Sequence, residues 1–330
     1  MKYLCIAVLS FLCAAQSISQ ETYAEKLGYP KGKKIIIFHI DDAGMSYEAN
    51  QGTILAMEKG VANSTSVMIP CGWVPAYMKY LQQHPTTDAG VHLTLTSEWK
   101  GYRWFPISGR EKVPGLLDKE GAMWSNVGDV VKHATPDEVE IEIRAQIARF
   151  RAFGVEPSHI DSHMGTLFGS AAFTERYIKV GIQEKIPVML PGGHATLIAK
   201  ERNSPAQEIQ QFQQIGKMLW NAGLPVLDDL FADTYGWKLS PETPNTEENL
   251  RKMKTAKYIE LLKEAKPGIT MVIMHCAAPS ENFKEITDSW PTRYGDLYAM
   301  QDPALKKFIE KEGIILTTWR EMRERRAKVK

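Results

Sequence analysis

Asp41 and Asp42 stand side by side at the end of an apolar run, positions 33–40 reading Lys-Lys-Ile-Ile-Ile-Phe-His-Ile, and Ala43 and Gly44 follow at once. Carboxylates at the C-terminal end of a buried strand are costly to desolvate, and α/β folds place their chemistry at such ends. One member of such a pair can hold a divalent ion while the other stays free to accept a proton from a water. The competing reading is a turn in which one aspartate caps the helix beginning near Ser46.

The histidines decide between these readings. Further apolar runs carry His92 (88–95), His159 and His163 with Asp161 between them (157–163), and His275 (270–276). Each run is short and bounded by turn residues, which predicts strands whose C-terminal ends converge on one rim of a parallel sheet. A carboxylate and two imidazoles with positions left open suit Zn²⁺ or another borderline divalent ion. Asp42, His92 and His163 are therefore the expected ligands. Asp41 is then the aspartate left free to accept a proton from a water. Asp161 and His159 are placed behind the ligands, Asp161 on condition that its strand bends there.

The motifs His39-Ile-Asp-Asp-Ala-Gly44, Val91-His-Leu-Thr-Leu95 and His159-Ile-Asp-Ser-His163 resemble, in order, the signatures of the YdjC/ChbG carbohydrate deacetylases and their HpnK relatives. The segment Asn63-Ser-Thr-Ser-Val-Met-Ile-Pro70 is also similar, and Met274-His275 stands where that family has its late histidine. The resemblance implies a barrel-like fold that deacetylates N-acetylated amino sugars, with Asp42, His92 and His163 as metal ligands, Asp41 as base and His275 near the leaving group. The chain departs from the pattern at His39, where the family has Asn, and at Ala43, where it has Phe. Met164-Gly165-Thr166 replaces further histidines, and Cys276-Ala277 replaces Pro-Gly.

The elements that must position these residues alternate. Helices are predicted at 46–59, with Ile54, Leu55 and Met57 inward, then at 75–83, 135–153, 171–184, 205–222, 245–266 and 303–311, and strands also at 64–69, 187–190, 225–227 and 313–318. Thr135, Pro136 and Glu138 form a strong helix start. The pattern predicts a single-domain (β/α) barrel-like fold of seven or eight parallel strands over 20–330, with the metal site at the C-terminal strand ends. Segments 98–133 and 280–301 read as irregular excursions on that rim. From them Trp99 and Trp104 are candidates to stack on sugar rings and Arg293 to bind a substrate oxygen, with packing and surface roles as the competing readings. Asp228, Asp229 and Asp233 are assigned to a loop rather than to ligands, and the tail from Trp319 reads as a basic helix.

The chain has 330 residues and a formal net charge of +1, with 40 Lys plus Arg against 39 Asp plus Glu, so nothing points to nucleic acid. Met1-Lys2 and the apolar stretch 3–15 read as a signal peptide over 1–19, too short to span a bilayer, which predicts export to a periplasm or beyond. A lipoprotein through Cys13 is the weaker alternative. Cys71 and Cys276 remain in the mature chain, and the sequence does not decide whether they pair. The expected cofactor is a divalent ion, Zn or Mg first and Mn or Co next. The expected partner is a small-molecule or oligosaccharide substrate, with homodimerisation left open. Two rivals stand beside the deacetylase: another metal-dependent ester, amide or phosphoester hydrolase, and a secreted sugar-binding protein without turnover.

Overall fold

The computed structural model describes residues 21–99 and 101–329. The leader and its cysteines lie outside these described residues. β1 (Lys34–Ala43), β2 (Ser64–Val67), β3 (Ala89–Leu93), β4 (Ile160–Ser162), β5 (Asp229–Phe231), β6 (Gly268–Met274) and β7 (Ile315–Leu316) are all parallel and pair in the order β4-β3-β2-β1-β6-β5, with β7 also on β1. The sheet curls until single bridges, Ile160 to Val188 and Pro191 to Leu227, join its outer members. The strands expected at 187–190 and 225–227 are thus reduced to one bridging residue each, and the result is a single α/β barrel-like domain.

β1 shows how sequence alternation builds both layers. Ile35 and Ile37 point inward and pack with Met189, Leu227, Ile269, Met271, Ile273 and Trp319. Ile36, Phe38 and Ile40 face outward and pack under Tyr258, Leu261, Leu297 and Leu305 of the surrounding helices. Each such fully buried side chain contributes roughly 1.5–3 kcal/mol against exposure. Two residues beyond Ile37 the same inward register presents His39 and then Asp41, so the apolar floor gives way to a polar mouth.

The helix Tyr47–Lys59 begins where expected, capped by Ser46 Oγ on the Ala49 N–H (3.1 Å), so neither aspartate serves as the cap. Its inner face is not Ile54, Leu55 and Met57, which are only half-buried, but Ala49, Gly52, Thr53 and Ala56. Gly52 lies against the Ala277 backbone, where a Cβ would come within 2.4 Å, and so brings this helix directly onto the chain that follows His275. The predicted capping box of Thr135 and Glu138 forms on Pro136–Arg151.

Two expectations for the connections are overturned, the first being that 98–133 is irregular throughout, since it ends in the helix Val127–His133. Segment 280–301 is not irregular: Glu281–Ile286 and Trp290–Met300 are helices, the second packed along Glu247–Glu264. An unpredicted helix, Thr196–Arg202, starts on the carboxylate of Asp229, which accepts from the Leu197 N–H (2.9 Å). Asp228 accepts from the N–H groups of Tyr23, Ala24 and Ile269 and ties the first helix to β6. Both aspartates therefore serve the fold. Cys71 and Cys276 are free and buried in different apolar clusters. No helix among the described residues is long and apolar enough to cross a membrane.

Candidate active site

Adjacent residues on a regular strand face opposite sides, yet Asp41 and Asp42 both reach the barrel mouth. The cause is a bulge: Ile40 pairs with Thr65 and Ala43 with Val67, so β1 spends one residue more than β2. Asp42 takes up the extra residue in the left-handed region, at φ 67°. Gly44 follows at φ 86° against Val74, where a Cβ would come within 2.6 Å, and its N–H donates to Asn50 Oδ1 (2.6 Å).

Around Asp42 Oδ1 the three candidate ligand atoms form a nearly equilateral triangle. His92 Nε2 lies 3.3 Å away and His163 Nδ1 3.2 Å, and those two nitrogens are 3.2 Å apart. Donors held about 2.1 Å from one ion in tetrahedral or octahedral array are separated by about 3.0–3.4 Å. Asp42 Oδ1 is buried without a hydrogen-bond partner, while Oδ2 accepts from Arg293 Nη2 (2.7 Å). The residues present therefore fit a divalent ion, with Oδ1 left free to take it.

Each imidazole is held by its other nitrogen, as ion-binding histidines commonly are. His92 Nδ1 is 2.8 Å from Asp161 Oδ1 and 3.1 Å from Ser66 Oγ, and His163 Nε2 is 3.1 Å from Glu98 Oε1. Asp161 needs no bend in its strand, since residues two apart share a face and it points inward with His163. His159 is fully buried, stacked on Trp319 with ring centroids 5.2 Å apart, and bonded to Ser158 Oγ through Nδ1 (2.9 Å).

Asp41 sits between the triangle and His275. Its Oδ1 is 3.1 Å from His39 Nε2, and its Oδ2 is 3.7 Å from His92 Nε2 and 3.8 Å from His275 Nε2. His39 bridges Asp41 to Asp161 Oδ2 (2.9 Å) and is fixed by Ser64 Oγ on its other nitrogen (2.9 Å). The His275 N–H donates to Asp296 Oδ2 (3.2 Å), and Asp296 Oδ1 is held by Lys254 Nζ (2.9 Å) and the Tyr258 hydroxyl (2.7 Å). That ion pair is fully buried, and removing either partner alone would cost about 3–5 kcal/mol. Arg293 is buried, not at the surface, flanked by Trp99 and Tyr235 at 5.5 and 5.4 Å, with Nη1 unpartnered. Trp99 is half-buried. Trp104 is fully buried, its indole N–H given to Thr96 O (2.7 Å), and forms the wall behind His163 rather than an open stacking face.

Burial alone would drive protons off these imidazoles, but the carboxylates prevail at His92 and His163. Glu98 and Asp42 raise His163 to about 9, and Asp41 and Asp161 hold His92 well above the usual range. Burial likewise opposes ionisation of Asp42, yet Arg293, His163 and His92 keep its pKa well below the usual carboxylate range. At His275 burial prevails and lowers it to about 3. A divalent ion takes the lone pairs that the protons on His92 and His163 occupy. Uptake should release protons, and affinity should climb as pH rises toward 9, by up to ~10-fold per unit for each histidine displaced. Calorimetric ion titration at two pH values in buffers of different ionisation enthalpy checks this.

Sequence reasoning missed Glu98, Ser66 and Tyr235, whose ring edge meets His275 at 4.3 Å, and gave His39 no role. His39 carried a usable signal, being two residues before Asp41 on the same face. Glu98 carried none, because it lies on the irregular chain beyond β3. Replacing Glu98 by Gln should weaken ion affinity about 10–100-fold, measurable by chelator competition.

The model of the family described as YdjC-like protein matches residues 35–311. This chain belongs to the YdjC-like family. A carbohydrate deacetylase of Thermus thermophilus is 28% identical over 91% of this chain and 97% of its own. A chitooligosaccharide deacetylase of Serratia marcescens is 31% identical over 40% of this chain and 49% of its own. The crystal structure of a candidate cellobiose-phosphate cleavage protein from Enterococcus faecalis shares the fold, with TM-score 0.68 and 22% identity over 87% of this chain and 98% of that one. The matched stretch contains every residue of the triangle together with Asp41, His275 and Arg293.

Proposed function

We propose that this YdjC-like protein hydrolyses the acetamido group of N-acetylated amino sugars with the help of a divalent ion, freeing acetate and the sugar amine. The observation that carries the reading is the 3.2–3.3 Å triangle of Asp42, His92 and His163 with a free aspartate beside it. When bound there, the ion supplies electrophilic stabilisation of the amide oxygen and acidifies the attacking water.

The chain's own groups do the rest. Asp41, held at Oδ1 by His39, presents Oδ2 to accept the water's proton. His275 Nε2, 3.8 Å from that oxygen, is placed to receive the proton and deliver it to the nitrogen as the C–N bond breaks. Arg293 keeps Asp42 Oδ2 engaged so that Oδ1 faces the ion. Trp99 offers an apolar wall to a sugar ring.

A phosphoester hydrolase on this frame would need cations free to meet the phosphoryl oxygens. Among the described residues, Arg293 is the one Lys or Arg paired with Asp41, Asp42, Asp161 or Glu98, and Asp42 already takes its charge. The test is acetate release from short chitin fragments with Zn²⁺, Mg²⁺, Mn²⁺ or Co²⁺, run beside phosphate release from sugar phosphates. Failure to release acetate with any ion overturns the reading, and saccharide binding without turnover would favour the non-catalytic rival.

A further inference from the structure

We propose that a hollow on the rim, walled by Tyr47 and Trp73, is a subsite for a further pyranose ring of an oligosaccharide whose acetylated unit occupies the ion site. The inference rests on the deacetylase reading above.

Tyr47 and Trp73 are 50% and 44% exposed, high values for large aromatic side chains, and their ring centroids lie 5.3 Å apart. Tyr47 follows β1 and Trp73 follows β2, so both stand on the rim that carries Asp41 and Asp42. Their backbones are pinned to the site. The Trp73 N–H donates to Gly44 O (3.1 Å), and Asn50 Nδ2 donates to Trp73 O (3.0 Å) while Asn50 Oδ1 holds the Gly44 N–H. Exposed rings on an anchored backbone are preorganised for a ligand.

The hollow has a volume of about 430 Å³, within the range of small-ligand sites, and Ser46, Glu48, Tyr102 and Asn282 complete its wall. Tyr102 joins it to the ion site. Its ring lies 5.8 Å from Trp104 and 6.4 Å from Trp99, Trp104 lies 6.3 Å from His163, and its hydroxyl donates to Met45 O. Packed rings thus run from behind His163 through buried Trp104 to Tyr102 in the wall of the hollow. A pyranose has an apolar C–H face and a belt of hydroxyls, which matches two rings bordered by short polar groups. The patch is far smaller than the roughly 800 Å² per partner of a stable protein interface, which favours a sugar as its occupant.

The test uses the full chain carrying Asp41→Asn, so that saccharide binds without turnover. Calorimetric titration with the pentasaccharide and the disaccharide of N-acetylglucosamine should show the longer chain binding about tenfold more tightly. Adding Trp73→Ala should bring that ratio close to one, and Trp73→Phe should retain most of it. Equal affinity for the two lengths, or a ratio that survives Trp73→Ala together with Tyr47→Ala, overturns the subsite. Length-dependent binding in a protein whose unsubstituted form releases no acetate would overturn the deacetylase reading and leave the subsite standing. Acetate release without length dependence would do the reverse.

Discussion

Asp41→Asn should leave the ion in place and remove turnover. Asn is nearly isosteric and its amide still fits beside His39, while the proposed ligand atoms belong to Asp42, His92 and His163. What disappears is the carboxylate that faces both His92 Nε2 and His275 Nε2, whereas Asp161 and Glu98 hold the far nitrogens of His92 and His163, and with it the proton acceptor goes. General-base removal of this kind costs about 10²–10⁴ in rate. The expected outcome is unchanged ion content by elemental analysis with acetate release lowered by at least ~10². Full activity would take Asp41 out of the mechanism, and loss of the ion would reassign it as a ligand.

The complementary substitution, His92→Ala, should fail at the earlier step. It deletes one corner of the triangle and also strips Asp161 of the Nδ1 contact at 2.8 Å, leaving a fully buried carboxylate with His39 and a distant His159. Ion content should fall to background, and activity should fall at least as far as in Asp41→Asn. Because a buried charge that loses one of its two close partners is left under-compensated, the melting temperature should fall as well. A variant that still carried one ion per chain would show that His92 is not a ligand.

The parts of this architecture legible in the sequence were those fixed locally. Apolar runs ending in Asp or His became β1, β3, β4 and β6, and Ser46 and Thr135 marked helix starts because their caps act within three residues. Features that depend on distant partners were not legible. The inner face of Tyr47–Lys59 is set by how closely Gly52 approaches Ala277, which no hydrophobic periodicity encodes. Segment 280–301 carries Pro291 and turn-forming residues and looks irregular, yet Trp290–Met300 is helical because it packs along Glu247–Glu264 and buries Asp296 against Lys254. The Asp-Asp pair was recognised as chemical, but the bulge that lets both members face one cavity shows only in the pairing of β1 with β2. Arg293 looked like a surface residue because nothing in its neighbourhood announces Asp42, 251 positions earlier.

The way the barrel closes has a consequence for its mechanics. Asp41, Asp42, His92, His163 and His275 hang from the unbroken ladder running from β6 through β1, β2 and β3 to β4, or from chain directly attached to it, and Arg293 reaches them from the helix Trp290–Met300. The remaining arc is held by Val188 and Leu227 through one bridge each. Amide protons along that seam should therefore exchange with deuterium well before those of β1 and β6, through a local breathing mode of that part of the wall. The seam meets the site at one point, Ile160 of β4 beside Asp161, so loosening at Val188 would reach the contact that orients His92, whereas loosening at Leu227 would be felt by the scaffold first.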